Sequence, residues 1–186
     1  MIEILKDLDY LLLHIINIDF SNVVLDFLMP KITNVRYWIP IYIVCGIYLI
    51  YRFKKRGALT VLFLILCLTI TDNLNHRVIK NYFNRKRPCH KNIELNKIIG
   101  CSGGKAFPSS HALNNFSIAF ILAHIFRKKK WWFYSIAFVI AFTRIYCGVH
   151  FPFDVLGGII IGLGFGYVFT KIYDKLCDKY LITPIL

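Results

Sequence analysis

Acidic residues are scarce in this sequence. Its 186 residues include 10 Asp and Glu against 23 Lys and Arg, a net charge of +13. The acidic residues it has include Glu3, Asp7 and Asp9 near the start, where a secretory leader would carry basic ones, and no small-residue cleavage site follows. That argues against a signal peptide. No Gly-, Ser- or Pro-rich linker, low-complexity tract or convincing internal repeat interrupts the chain, so one domain over 1–186 is expected. The basic residues are not interleaved with aromatics along one surface but fall between apolar runs, which argues against a nucleic-acid partner. Paired zinc-ligand spacings are also missing: Cys89, His90 and Cys101 share a loop without an evident fourth ligand.

What the sequence has in abundance is apolar surface. Hydrophobic residues make up 57% of the chain, and the mean hydropathy is positive. Several runs are long enough to cross about 30 Å of hydrocarbon, which predicts an integral-membrane, all-α bundle in contact with anionic lipid. Residues 1–34 read as short helices. Ile4, Leu8, Leu11, Leu12 and Ile15 recur at helical spacing opposite Glu3, Lys6, Asp7 and Asp9, the pattern of an interfacial amphipathic helix. Ser21 or Asn22 caps a second short helix that Pro30 is expected to stop.

Five spans follow: Arg36 to Tyr51, Ala58 to Lys80, Ser110 to Phe126, Trp131 to Cys147 and Pro152 to Ile172. With the N-terminal helices this makes five to six transmembrane helices, a core of 35–80 and 110–175 joined by a loop over 81–109. Arg52, Lys54, Lys55 and Arg56 follow the first span, and Arg127 to Lys130 follow the third, so those ends are expected in the cytoplasm. The loop over Lys80 to Lys105 is then basic on the outer side, where a bound anion accounts for it.

Three constellations share that outer side. Lys80 and Arg87-Pro88 lie seven residues apart at a span's end, two helical turns if the helix continues; taken alone, they also fit cations snorkelling to headgroups. Pro108-Ser109-Ser110-His111 opens the third span, where serines suit an N-cap and free N–H groups attract phosphate. Thr143-Arg144 precedes His150 by a short turn, and Asp154 follows Pro152 in the first turn of the last span, within reach of His150.

Together these residues resemble the type 2 phosphatidic acid phosphatase superfamily, whose pattern is Lys-x6-Arg-Pro, Pro-Ser-Gly-His and Ser-Arg-x5-His-x3-Asp. This chain departs twice, with Ser110 in place of glycine and Thr143 in place of serine. The resemblance implies catalytic roles for His150 as nucleophile, Asp154 as its orienting carboxylate and His111 as general acid and base. It implies phosphate contacts from Lys80, Arg87, Ser109, Ser110 and Arg144. It implies hydrolysis without a metal or other cofactor, of an anionic phosphorylated lipid, at the periplasmic face of a bacterial inner membrane. Candidate lipids are lipid A 1-phosphate, undecaprenyl diphosphate, phosphatidylglycerophosphate and phosphatidic acid. Lys91, Lys97 and Lys105 favour a polyanionic headgroup.

Other features stay open at this level. Cys89 and Cys101 are either a disulfide across the loop or two thiols. Asp72, His76 and Lys80 recur every four residues and, with Asn114 and Asn115, suit either support of the site or structural hydrogen bonds between helices. Gly158, Gly162 and Gly166 allow close helix packing, inside a monomer in preference to a homodimer. A transporter or channel with buried His, Arg and Lys along an ion path is the competing function, and a vanadate-dependent peroxidase a third.

Overall fold

In the computed structural model, which describes residues 2–101 and 103–179, the secondary structure of the described residues is helical throughout, without strands. Met1, Ser102 and 180–186, all counted in the expected domain, lie outside them. Helix α1 spans Ile2–His14 and runs into a π-helical turn, Ile15–Asp19. Helix α2 spans Val23–Thr33, α3 Val35–Leu74, and α4 Lys80–Phe83 after a π-helical turn at Asn75–Ile79. Helices α5 (Ser110–Ile125), α6 (Lys130–Tyr146) and α7 (Pro152–Lys179) complete the bundle.

Asn22 caps α2, its side chain accepting from Leu25 N at 3.0 Å. Pro30 does not stop this helix, which continues to Thr33. A proline forfeits one N–H bond, and a helix docked against its neighbours tolerates that loss.

Helix α3 keeps a helical hydrogen-bond pattern for 40 residues, yet Lys54 breaks it with φ 49° and ψ −126°. There the chain turns back on itself. A Cβ on Gly57 would stand 1.9 Å from the carbonyl oxygen of Leu49, and one on Gly46 would stand 3.9 Å from Val61. Pairs 49/57 and 46/61 meet only if the two halves run antiparallel. By length and composition, Val35–Phe83 and Pro152–Lys179 each suffice to cross a membrane, as does the bent pair Glu3–Asp19 and Val23–Thr33 if it counts as one span.

The centre of the bundle is α5, packed between α6 and α7. Gly158, Gly162 and Gly166 are buried against it, and a Cβ at Gly162 would lie 2.4 Å from Leu113 O. Ser117 Oγ donates to Gly162 O at 2.9 Å across this contact. The glycine row is thus spent inside the monomer and is not a free dimer face. Exposed apolar side chains such as Ile43, Val44, Ile47, Phe138, Ile160 and Val168 girdle the outside. Trp131 and Trp132 are exposed beside the basic turn at Arg127–Lys129, as expected at a headgroup boundary.

Helix α1 departs from its expected amphipathic pattern at Asp9, which is buried although Glu3, Lys6 and Asp7 of the same polar face are exposed. Ile4, Leu8, Leu11 and Ile15 are exposed, while Asp9, Leu13 and Asn17, spaced four apart, are buried against the bundle. An apolar face suited to lipid need not turn inward, and Asp9 and Asn17 find polar partners there.

Candidate active site

The end of α4, the starts of α5 and α7, and the turn after α6 meet at one end of the bundle. Ser109 N donates to Asp154 O at 2.9 Å, tying the start of α5 to the start of α7. Arg144 O accepts from Val149 N and His150 N, both at 3.2 Å, which folds the turn back over α6. Gly148, at φ +69°, permits that reversal.

His150 lies at the bottom of this corner, 2% exposed. Its Nε2 is 3.0 Å from Arg87 Nη1. Guanidinium only donates, so Nε2 is the acceptor and the ring proton sits on Nδ1. Nδ1 faces Asp154 Oδ2 at 3.6 Å, longer than a formed hydrogen bond. Burial above all, then the charges of Arg87, Arg144 and Lys80, hold the imidazole well below its ordinary pKa. At neutral pH it is therefore the uncharged base, with its lone pair on Nε2.

Lys80 is buried, its Nζ donating to Lys105 O at 2.8 Å and Pro108 O at 2.9 Å. An ammonium has three donors, so one is left for a ligand. The helical argument that put Lys80 and Arg87 on one side is corrected: α4 ends at Phe83, Asn84 is left-handed at φ 46°, and Arg87 comes back through a loop. Arg87 Nη1 also donates to Val149 O at 3.1 Å. Arg144 Nη1 donates to Thr33 Oγ1 at 2.6 Å, and the backbone of Thr33 lies next to the His111 ring.

Ser109 occupies the N-cap position of α5, but its hydroxyl makes no cap bond. Among the described residues Ser109 Oγ, Arg87 Nε, Arg144 Nε and His150 Nδ1 are buried without a hydrogen-bond partner. Unpaired buried donors are costly; His150 Nδ1 faces Asp154, and Ser109 Oγ and the two guanidinium Nε groups are left as donors that an anion could take up. Ser110 Oγ instead accepts from Asn75 Nδ2 at 2.9 Å, so the side chain that replaces the family glycine is held by the π-helical turn.

That π-helical turn also breaks the four-residue repeat. Asp72 and His76 face out, half-exposed and 3.8 Å apart, while Lys80 points in. Asp72 reaches Asn114 at 3.2 Å, and Asn115 donates to His111 O at 2.8 Å. Of the extra cations, Lys91 donates to Tyr10 at 2.5 Å, Lys105 to Asn81 at 3.1 Å, and Lys97 is exposed. A disulfide joins Cys89 and Cys101. His90 lies beside them, but both sulfurs are committed to each other.

Two residues escaped the sequence reading. Arg85 donates to Asp154 Oδ1 at 2.7 Å and to Asp9 Oδ2. Asp9, fully buried, also accepts from Phe153 N at 2.8 Å through Oδ1. Arg85 sits among the variable positions between Lys80 and Arg87, and Asp9 is 76 residues from it. The spacing of Asp9 with Leu13 and Asn17 was the one available signal.

A bundle with an apolar exterior and buried cations converging on an uncharged imidazole defines the class of a membrane phosphohydrolase. The chain belongs to the PAP2 superfamily, whose family model matches residues 57–177. It is 32% identical to a lipid A 4'-phosphatase of Bacteroides thetaiotaomicron over 96% of this chain and 83% of that one. It is 34% identical to a lipid A 4'-phosphatase of Porphyromonas gingivalis over 72% of this chain and 61% of that one. The fold superposes on the crystal structure of Aquifex aeolicus LpxE with a TM-score of 0.72 and 28% identity, over 88% and 95% of the two chains. A transmembrane PAP2-type phosphatidylglycerolphosphate phosphatase from Bacillus subtilis shares the fold at a TM-score of 0.69 and 24% identity, over 92% and 87%. The protein is thus a phosphatase of this family.

Proposed function

We propose that this protein removes a phosphate monoester from the sugar headgroup of a lipid A-type glycolipid through a phosphohistidine on His150. The observation that carries the reading is the uncharged, buried His150, its Nε2 beside Arg87 and within a set of donors that lack partners. Nε2 attacks phosphorus as the bond from phosphorus to the sugar oxygen breaks, and His111 gives that oxygen its proton. His111 then takes a proton from water, whose oxygen attacks phosphorus and breaks the N–P bond, returning His150 to its neutral form. Asp154 faces the Nδ1 proton and steadies the imidazolium-like charge that develops. Lys80, Arg87, Arg144, Ser109 and the N–H groups at the start of α5 hold the non-bridging oxygens; one preorganised donor of this kind is worth about 3 kcal/mol.

The membrane placement is inferred from charge and length. We place five spans, with α3 contributing two on either side of Lys54 and α5, α6 and α7 one each. Sixteen residues of α5 reach about 24 Å, enough for a short or locally thinned crossing. Arg52 to Arg56 and Arg127 to Lys130 lie at the opposite end from His150, which favours a site on the periplasmic side of the inner membrane. The two lipid A 4'-phosphatases favour a monoester at the 4' position over the 1-phosphate or a diphosphate. With Lys91 and Lys105 engaged elsewhere, the argument for a polyanionic headgroup weakens.

The test is phosphate release in detergent from lipid A, undecaprenyl diphosphate, phosphatidylglycerophosphate and phosphatidic acid, with mass spectrometry of the lipid A product. Lipid A losing its 4'-phosphate fastest is the expected result. Faster turnover of the diphosphate would overturn the substrate assignment.

A further inference from the structure

We infer that Asp9 and Arg85 are positioning residues for the nucleophile, and that α1 thereby completes the active site from outside the family-matching core. The inference rests on His150 being the nucleophile. Its basis is a chain of contacts. Asp9 Oδ1 accepts from Phe153 N at 2.8 Å and its Oδ2 accepts from Arg85 Nη2. Arg85 Nη1 donates to Asp154 Oδ1 at 2.7 Å. Asp154 Oδ2 accepts from Phe151 N at 2.9 Å and faces His150 Nδ1 at 3.6 Å. Both carboxylates are fully buried, and the guanidinium lies 4.4 Å from the centre of the Phe151 ring.

The charges explain why a third group is needed. Asp154 has to offset the positive charge that grows on His150, but Arg85 alone would cancel it. With Asp9 added, the two carboxylates and one guanidinium of this cluster sum to one net negative charge on the Nδ1 side of the imidazole, opposite the cations at Nε2. In a buried setting that charge is weakly screened. Geometry works in the same direction, because the amides of Phe151 and Phe153 bracket His150's turn and each is held by one of the two carboxylates. Asp9 lies outside residues 57–177, and its contact to Phe153 bridges 144 residues of chain.

The alternative is an ion cluster that merely docks α1. It predicts lower stability for the variants but unchanged turnover per folded molecule. Asp9→Asn, Arg85→Met, Arg85→Lys and the double variant Asp9→Asn/Arg85→Met are therefore compared as full-length, monodisperse protein in detergent. Steady-state phosphate release from lipid A and the rate of phosphoenzyme formation are read for each. For Asp9→Asn, kcat is expected to fall about tenfold, what one pKa unit of lost imidazolium stabilisation corresponds to, with KM within about twofold. Arg85→Met, which takes from Asp154 Oδ1 the donor that orients it, is expected to lower kcat as well, and Arg85→Lys to recover part of that loss. The double variant is expected to lose less than the product of the two single losses, since Asp9 acts in part through Arg85 and in part through Phe153 N. Equal kcat for wild type and Asp9→Asn, or losses that multiply in the double variant, would overturn the inference. Should Asp9→Asn not yield monodisperse protein, Arg85→Lys decides: turnover equal to Arg85→Met counts against it, and partial recovery supports it. Wild-type turnover and its loss in His150→Ala test the parent reading separately, so the two failures are distinguishable.

Discussion

Arg87 Nη1 stands 3.0 Å from His150 Nε2, so the lone pair proposed to attack phosphorus is engaged by the cation expected to bind the phosphate. On the proposed reaction Nη1 has to leave Nε2 before attack, while the unpaired Arg87 Nε is the donor open to phosphate oxygens. Arg87→Lys removes the planar fork while keeping the charge. KM is expected to rise and kcat to fall, together lowering kcat/KM by about a hundredfold, the size of a lost oriented donor. Steady-state kinetics on the preferred lipid checks this, and a change below about threefold would contradict it.

His111 is expected to act on the leaving oxygen, not on phosphate binding. His111→Ala should therefore fall furthest on substrates with a poor leaving group. With an aryl phosphate, whose leaving oxygen needs little protonation, phosphoenzyme formation should recover while its hydrolysis stays slow. A burst of aryl alcohol in stopped-flow measurements is the expected signature.

Acid sensitivity follows from His150. Its folded-state pKa lies well below the ordinary imidazole value, so the unfolded chain takes up a proton as pH falls below about 6.5 while the folded chain does not. Stability contributed by the neutral ring is present above about pH 6.5 and declines as pH falls towards the folded pKa, at up to about 1.4 kcal/mol per pH unit. Thermal unfolding in detergent between pH 7.5 and 5 should show a steeper decline for wild type than for His150→Gln.

The three motifs were legible because each is local. Arg144, His150 and Asp154 are set by one turn between two helices, and Ser109 to His111 by one helix start. Their assembly followed from the alternation of apolar runs. What was not legible depends on contacts far apart in sequence. The π-helical turn at Asn75–Ile79 rotates Lys80 inward and leaves Asp72 and His76 outside, where a regular helix would align all three. Asp9 looked like part of a solvated face because its partner Arg85 is 76 residues away. Pro30 looked like a stop because docking, and not propensity, decides where α2 ends.

Gly162 tests the packing that holds α5 in place. An added Cβ would meet Leu113 O at 2.4 Å, so Gly162→Ala should destabilise by about 1–3 kcal/mol, as overpacking does. A Cβ added at Gly164 on the same helix would have nothing within 4 Å, and Gly164→Ala should be neutral or slightly stabilising. Melting temperatures of the two variants are the comparison.

The loop disulfide is open to counting. Cys45, Cys67, Cys147 and Cys177 are free, and Cys89 and Cys101 are joined. Alkylation of unfolded protein should therefore modify four cysteines before reduction and six after it, as read by intact mass.

The central claim is a covalent phosphohistidine on His150. The most direct measurement is rapid mixing with substrate labelled at the phosphate to be transferred, followed by an alkaline quench and peptide mapping. Label on the peptide that contains His150, stable in alkali, lost in acid and absent from His150→Ala, is the predicted result. Turnover without label on the wild-type protein at any time point, or label that persists in His150→Ala, would contradict the account.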